Sequence, residues 1–412
     1  MTFSALGLCN ELLNTVAEQG YSSPSPIQTG AIPHVLNKRD LIAIAQTGTG
    51  KTASFSLPIL QLLSEQTQSK PDGVRALIIA PTRELAAQVA QNVETYSRNM
   101  NMRSTAVYGG VRIEPQKFEL EKGVDVLIAT PGRLIDLYKQ GAIHFEQLEI
   151  LVLDEADRML DLGFVDDIQY IQTQLPDTRQ TLLFSATFSK EIKMLAKNML
   201  NNPAIIELST AHDHIEKITQ KLHPVDKARK CELLIHLIQH NNWSQMLVFT
   251  RTKRGADNLR DELESAGISA ESIHANRTQR ARTQALDGFR SGSIRILVAT
   301  DIASRGIDIE QLPCVLNLDL PYLPEDYIHR IGRTGRASSQ GLAISLFSDD
   351  EAKQLRSIER LIGRQFKKEF VPGFEPTPKP PVSLLEEALY GNFEADPKSK
   401  QKRGRKGRRK RN

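Results

Sequence analysis

The chain has 412 residues, 40% of them hydrophobic and 25% charged, and a mean hydropathy of −0.34. A single hydrophobic core stops growing at roughly 250–300 residues, so two domains with a cleft between them are expected. No apolar run approaches the roughly 18 residues that cross a bilayer, the opening stretch MTFSALGLCNELL has no secretory pattern, and Cys9, Cys231 and Cys314 are too scattered for disulfides or structural zinc. A cytoplasmic protein without membrane contact is the expectation. The net charge of +4 is unevenly placed: the last sixteen residues, PKSKQKRGRKGRRKRN, carry ten Lys and Arg and no acid, which leaves 43 bases against 49 acids elsewhere. A mildly acidic body with a strongly basic tail points to a polyanion partner.

In chain order, short apolar runs alternate with longer stretches of helical period, the pattern of βαβ units. The first half has LIAIA (41–45), ALIIA (76–80), VDVLIAT (124–130), ILVLD (150–154) and TLLFS (181–185); the second has MLVFT (246–250), IRILVAT (294–300), VLNLDL (315–320) and LAISLF (342–347). Runs so uniformly apolar fit parallel strands covered on both faces, which predicts an α/β fold. Between the two series, residues 209–218 are polar and without period, and are assigned to a linker. The predicted units are 1–208, the linker 209–218, 219–370, and an extension with a basic tail over 371–412. VPGFEPTPKPP is expected to be extended and outside any core.

Ligands of open α/β sheets bind beyond the carboxyl ends of the strands, so the residues that follow each run carry the functional information. AQTGTGKT (45–52) follows the first strand and precedes a helical stretch, which makes it a P-loop with Ala45 in the place of the first Gly. Thr47, Gly48, Thr49 and Gly50 would turn backbone N–H groups toward phosphate, Lys51 would reach the terminal phosphates, and Thr52 would ligate Mg²⁺. The run ILVL ends in Asp154 and Glu155, an arrangement that aims two carboxylates at the same mouth. Asp154 then holds the metal, directly or through water, and Glu155 orients and deprotonates an attacking water.

These motifs, with DEAD at 154–157 and SAT at 185–187, resemble those of a DEAD-box RNA helicase over nearly the whole folded body. The resemblance implies two tandem RecA-like domains, each a mainly parallel sheet flanked by helices, followed by a disordered basic tail. It also implies ATP with Mg²⁺ as the nucleotide system and RNA as the partner, ribosomal RNA or pre-ribosomal particles among them. GYSSPSPIQ resembles the family's adenine-reading segment: Gln28 offers a donor and an acceptor to the adenine edge and Tyr21 a ring to stack on it, with Phe3 seventeen residues before Gly20. HRIGRTGR (329–336) resembles the family's arginine-finger segment, which places Arg333 and Arg336 as fingers and adds His329 to the catalytic set; as residues alone, the same stretch also reads as a basic surface patch. Asp308 resembles the ribose contact.

For RNA, the resemblance points to Pro81, Thr82 and Arg83 of PTRELA, to Gly109 and Gly110, and to Thr130, Pro131, Gly132 and Arg133 of TPGR. In the second half it points to Arg251, Gln279, Arg282 and Thr300. Hydroxyls, helix N-termini and glycines of this kind contact phosphate and sugar rather than base edges. Ala275 stands where the family usually has Gly. Asp157 with Ser185 and Thr187 is expected to link the nucleotide and RNA sites. EQGYSSPSPIQ, LDEADRMLDLGF, LVFTRTK and FVPGFEPTP resemble the bacterial RhlE-type branch. Three outcomes stay open on sequence: local unwinding of short RNA duplexes, an ATP-gated RNA clamp or assembly scaffold with little unwinding, or a DNA helicase.

Overall fold

A computed structural model describes residues 1–46, 48–65, 73–208, 218–241, 243–304, 312–335 and 341–377. Thr47, Asp308, Arg336, the linker stretch 209–217 and the tail from 378 lie outside the described residues. Two parallel sheets organise the chain. The first contains β1 (Leu41–Ile44), β2 (Ala76–Ile79), β3 (Ser104–Val107), β4 (Val126–Ala129), β5 (Ile150–Leu153), β6 (Gln180–Ser185) and β7 (Ala204–Glu207), in the order β3-β4-β2-β5-β6-β1-β7. The second contains β8 (Ile218–Pro224), β9 (Met246–Phe249), β10 (Ala270–Ile273), β11 (Ile296–Ala299), β12 (Cys314–Asn317) and β13 (Gly341–Phe347), in the order β10-β11-β9-β12-β13-β8.

All nine predicted runs contain strands, and all the pairings are parallel. Alternation along each strand explains why the runs are apolar throughout. Leu41 and Ala43 belong to one core cluster of the first lobe, and Ile42 and Ile44 to the cluster on the opposite face. Met246 and Val248 separate from Leu247 and Phe249 in the same way in the second lobe. Side chains of period two on these strands therefore feed two helix-covered layers.

Sequence reading missed β3, β7, β8 and β10. All four lie at sheet edges, β3 and β7 in the first sheet and β10 and β8 in the second, so their sequences carry polar residues such as Ser104, Glu207, Gln220 and Glu271. Ile218, the last residue of the predicted linker, is the first residue of β8.

The expectation that residues beyond 370 contribute no core is corrected. Residues 371–374 form a turn, with the Phe374 N–H donating to the Val371 carbonyl at 3.0 Å and Gly373 at φ 84°, and Phe374 is only 7% exposed, within the core cluster of the second lobe. The Arg229 guanidinium lies 4.6 Å from its ring centroid, and Thr377 hydrogen-bonds the carboxylate of Asp226. One aromatic ring among prolines is enough to dock the strap, because burying a Phe side chain contributes about 1.5–3 kcal/mol.

The sheet order positions the site. β5, β6 and β1 are neighbours, so the ends carrying DEAD, SAT and the P-loop converge at one half of the first sheet. β3, β4 and β2 are neighbours at the other half, where the Gly109–Gly110, TPGR and PTRELA segments emerge. Both groups of segments thus leave the carboxyl ends of strands of one sheet.

Candidate nucleotide and RNA site

A cavity of about 760 Å³ opens at the β1–β5 half of the first lobe, and the second lobe's Arg333 completes its wall. Gly48 and Gly50 have φ values of 78° and 93°, which only glycine adopts at little cost, and these values coil the loop so that α3 (Lys51–Glu65) starts at the cavity. Lys51 is buried and its Nζ has no hydrogen-bond partner among the described residues. Asp154 Oδ1 and Glu155 Oε2 are likewise buried without a hydrogen bond. Buried charged atoms without a hydrogen bond cost free energy that a ligand at this mouth would offset.

Burial is the main cause that pushes the Asp154 carboxyl up to about 7; Lys51 opposes the shift, and Glu155 and Asp157 add to it. A divalent cation would reverse that preference, and Thr52 and Asp154 are the side chains placed to hold it. Among the described residues no cluster of three or more His, Cys, Asp or Glu side chains could cage a metal. Thr52 and Asp154 offer oxygen ligands only, which fits Mg²⁺, an ion that keeps several waters and shares phosphate oxygens.

The candidate adenine-reading residues line the same cavity. Gln28, in α2 (Pro26–Leu36), accepts from the Ser25 backbone N–H at 2.8 Å and donates to the Gly50 carbonyl at 3.3 Å. Each end of the amide keeps one further hydrogen-bonding position for a base edge. A Cβ on Gly50 would lie 2.5 Å from Gln28 Nε2, so this contact excludes any larger residue in the loop. Tyr21 is 41% exposed at the cavity mouth, and its hydroxyl lies 3.4 Å from that of Tyr96. Sequence reading missed the wall behind it. Leu85, Gln88, Asn92 and Tyr96 line the cavity from α4 (Arg83–Tyr96), a helical i, i+3, i+7 stripe visible only once α4 is known to face the nucleotide. Phe3 is packed in the core of the first lobe.

Asp157, in α7 (Ala156–Asp161), accepts from Ala186 N, Thr187 N and Thr187 Oγ1 through one oxygen, Oδ2, at 3.0, 3.0 and 3.2 Å. The Ser185 hydroxyl instead donates to the Thr187 carbonyl at 2.8 Å. Ser185 shapes the turn, and the turn delivers Thr187 to Asp157.

At the other half of the sheet, Thr82 caps α4, its Oγ1 accepting from Leu85 N at 3.3 Å, while Thr130 heads α6 (Pro131–Lys139) without spending its hydroxyl on the helix. Pro131 is the first residue of that helix, and a Cβ at Gly132 would meet open space. Pro81 is buried at the end of β2. Gly110 has φ 78° and sits against Arg83, whose Nη1 would fall 1.8 Å from any Cβ there. Arg133 donates to the Val111 carbonyl at 3.1 Å. PTRELA, the glycine pair and TPGR thus interlock as one surface. Gln116, absent from the sequence reading, holds it from behind by pairing with both the N–H and the carbonyl of Tyr108.

From the second lobe, the helix Gln279–Arg290 starts beside α4. Gln279 and Arg282, one turn apart, both donate to Glu84 at 3.0 Å, and Arg83 reaches Gln279 at 3.4 Å. In this arrangement the polar ends of Gln279 and Arg282 meet a carboxylate of the first lobe instead of an open groove. The motif PTRELA contains Glu84, but an acid in a phosphate-binding segment gives no sign in sequence that it faces the other lobe. Arg251 donates to the buried Glu351 at 2.7 Å. Thr300 ends β11 beside them, buried. His329, in the helix Pro324–Ile331, meets Arg158 of the first lobe at 3.5 Å, and Arg333 follows one turn later at the cavity.

Two parallel-sheet lobes with a P-loop and paired carboxylates on one and an arginine from the other define a two-lobed RecA-like nucleotide-hydrolysing protein. A DEAD/DEAH box helicase model matches residues 25–195 and a helicase conserved C-terminal domain model matches 229–338. The chain is 40% identical over 379 residues to the ATP-dependent RNA helicase RhlB of Pseudomonas syringae pv. tomato, covering 90% of this chain and 95% of the relative. It is 39% identical over 393 residues to the DEAD-box ATP-dependent RNA helicase CshA of Bacillus cereus, covering 95% and 74%. Among solved structures, S. cerevisiae Dbp5 bound to RNA and ADP BeF3 superposes with a TM-score of 0.80 at 32% identity, covering 91% of this chain and 95% of that one. The chain belongs to the DEAD-box family of ATP-dependent RNA helicases.

Proposed function

We propose that this chain hydrolyses ATP only when its lobes close on RNA, and that closure locally separates short RNA duplexes. The observation that carries the reading is the entry of Arg333, from the second lobe, into the wall of the cavity built by the first lobe's P-loop and by Asp154 and Glu155. Backbone N–H groups of 48–52 and Lys51 would hold the phosphates, and Thr52 and Asp154 would hold Mg²⁺, which when bound would supply positive charge against the negative charge of the phosphates. Glu155 takes the proton of the attacking water. Arg333, with Arg336, meets the charge that develops on the transferred phosphoryl group, a contribution available only after closure. Asp308 serves the ribose.

Residues 81–83, 109–110 and 130–133 hold one stretch of RNA by phosphate and 2′-OH, and Arg251, Gln279, Arg282 and Thr300 belong to the same face of the second lobe. Asp157 and Thr187 connect the two sites through the strand-end turn of β6. Loss of the γ-phosphate contacts then lets the cleft reopen. The sequence segments FVPGFEPTP and LDEADRMLDLGF support the RhlE-type branch, and the basic tail supports cytoplasmic work on structured RNA such as ribosomal precursors.

A short duplex with a single-stranded flank tests the proposal. Strand release should track ATP turnover in the parent and vanish in Glu155→Gln, whose turnover falls about 10²- to 10⁴-fold while ATP and RNA binding persist. Long-lived binding without strand release would favour the clamp.

A further inference from the structure

Arg158 stands one helical turn after Glu155, and its side chain is only 3% exposed. It is too deep to meet RNA. Removing a guanidinium from water costs several kcal/mol unless other groups replace its hydration, so its partners define its use. Its Nε lies 3.6 Å from Glu155 Oε2, and its Nη2 lies 3.5 Å from Nδ1 of His329 in the other lobe. Arginine has only donors, so Nδ1 is the acceptor and the imidazole proton is on Nε2. Arg158, His329 and Arg333 also line one small cavity at the lobe boundary. Glu155 itself has φ 52° and ψ 54°, a backbone conformation that costs a non-glycine residue about 1–3 kcal/mol and persists only where the surroundings enforce it.

We propose that Arg158 is a positioning residue for hydrolysis. It holds the Glu155 carboxylate in the orientation that takes the water's proton, and His329 seats Arg158 only when the second lobe arrives. The guanidinium suits this because its planar fork can serve two partners in fixed directions, which a lysine ammonium cannot. His329 then acts on the reaction through Arg158 and Glu155. The inference rests on the assignment of Glu155 as the base.

The test uses full-length Arg158→Gln, Arg158→Lys and His329→Ala, each alone and combined with Glu155→Gln. Single-turnover hydrolysis is measured at saturating RNA, with thermal melting and half-saturating ATP and RNA as controls. Arg158→Gln should lower the hydrolysis rate about 10- to 100-fold, the scale of a misplaced catalytic group, with both half-saturations within threefold of the parent. Arg158→Lys should recover less than half of the loss on a logarithmic scale. His329→Ala should lower the rate alone but add nothing to Arg158→Gln, and none of the three should lower the residual rate of Glu155→Gln.

Losses that multiply with Glu155→Gln, or a parent-like rate in Arg158→Gln, would overturn the positioning role while leaving Glu155 as the base. A parent-like rate in Glu155→Gln itself would remove the base assignment and the inference with it. If Arg158→Gln does not fold, His329→Ala with and without Glu155→Gln decides: an effect present only with Glu155 intact supports the seating, and an equal effect in both overturns it.

Discussion

Arg282 of the second lobe donates to Glu84 of the first at 3.0 Å, and both side chains are nearly buried, at 10% and 7% exposure. With Gln279 on the same carboxylate, one acid of the RNA-binding face gathers two donors from across the cleft. Closure is therefore held at the RNA side by a charge-assisted contact, while Arg333 completes the nucleotide side.

Glu84→Ala should weaken closure without touching the chemistry. Breaking one partner of a buried ion pair costs about 3–5 kcal/mol, of which the part expressed here is smaller because water can enter the opened cleft. The RNA concentration for half-maximal ATPase should rise about 10- to 100-fold, roughly 1.4–2.8 kcal/mol, with the half-saturating ATP rising alongside it. The saturated kcat should stay within about threefold. A fall in kcat with unchanged half-saturation would place Glu84 in the chemical step instead.

Asp154 predicts an inverse pH dependence of stability in the ligand-free protein. Its carboxyl titrates at about 7 when folded, against an ordinary value near 3.8, because burial disfavours the charge. The unfolded chain gives up this proton at lower pH, so stability is lost as pH rises from about 4 to 7, at about 1.4 kcal/mol per unit. Asp154→Asn should melt higher than the parent at pH 8 and coincide with it near pH 4, and Mg²⁺ with ATP should rescue the parent alone at pH 8. A pH-independent difference in melting temperature would show that desolvation of Asp154 is not its cause.

The tail, residues 397–412, carries ten positive charges and no acid. Its removal should leave kcat at saturating RNA unchanged and weaken RNA binding at low salt. Each phosphate contact in single-stranded RNA contributes about 0.7 to the slope of log affinity against log salt, so the truncated chain should show a shallower slope. Equal slopes would reject a tethering role.

The parallel-sheet architecture was legible because buried strands such as Ile150–Leu153 announce themselves as apolar runs, and the nucleotide site because Gly48, Gly50, Lys51 and Asp154 each have a narrow chemical use. What sequence hid was pairing. Nothing in PTRELA says that Glu84 will face Arg282, far along the chain, and the family resemblance assigns Arg282 to RNA. Arg158 was hidden for a similar reason, since a charged residue after DEAD suggests a solvated helix face until its burial is known. Phe374 was missed because surrounding prolines outweighed a single aromatic. Edge strands such as Ala270–Ile273 escaped because a half-buried position tolerates Glu271 and a buried one accepts Ser272 by bonding its hydroxyl to Asp257.

Reciprocal linkage between ATP and RNA through closure of the lobes is the central claim, and one binding measurement addresses it most directly. In full-length protein, the affinity for ADP BeF3 is measured with and without saturating single-stranded RNA, and the affinity for that RNA with and without saturating ADP BeF3. Both ratios should be the same, about 5- to 150-fold, since coupling between two sites is reciprocal, and Glu84→Ala should shrink both by the same factor. Ratios of one, with each ligand blind to the other, would contradict the account.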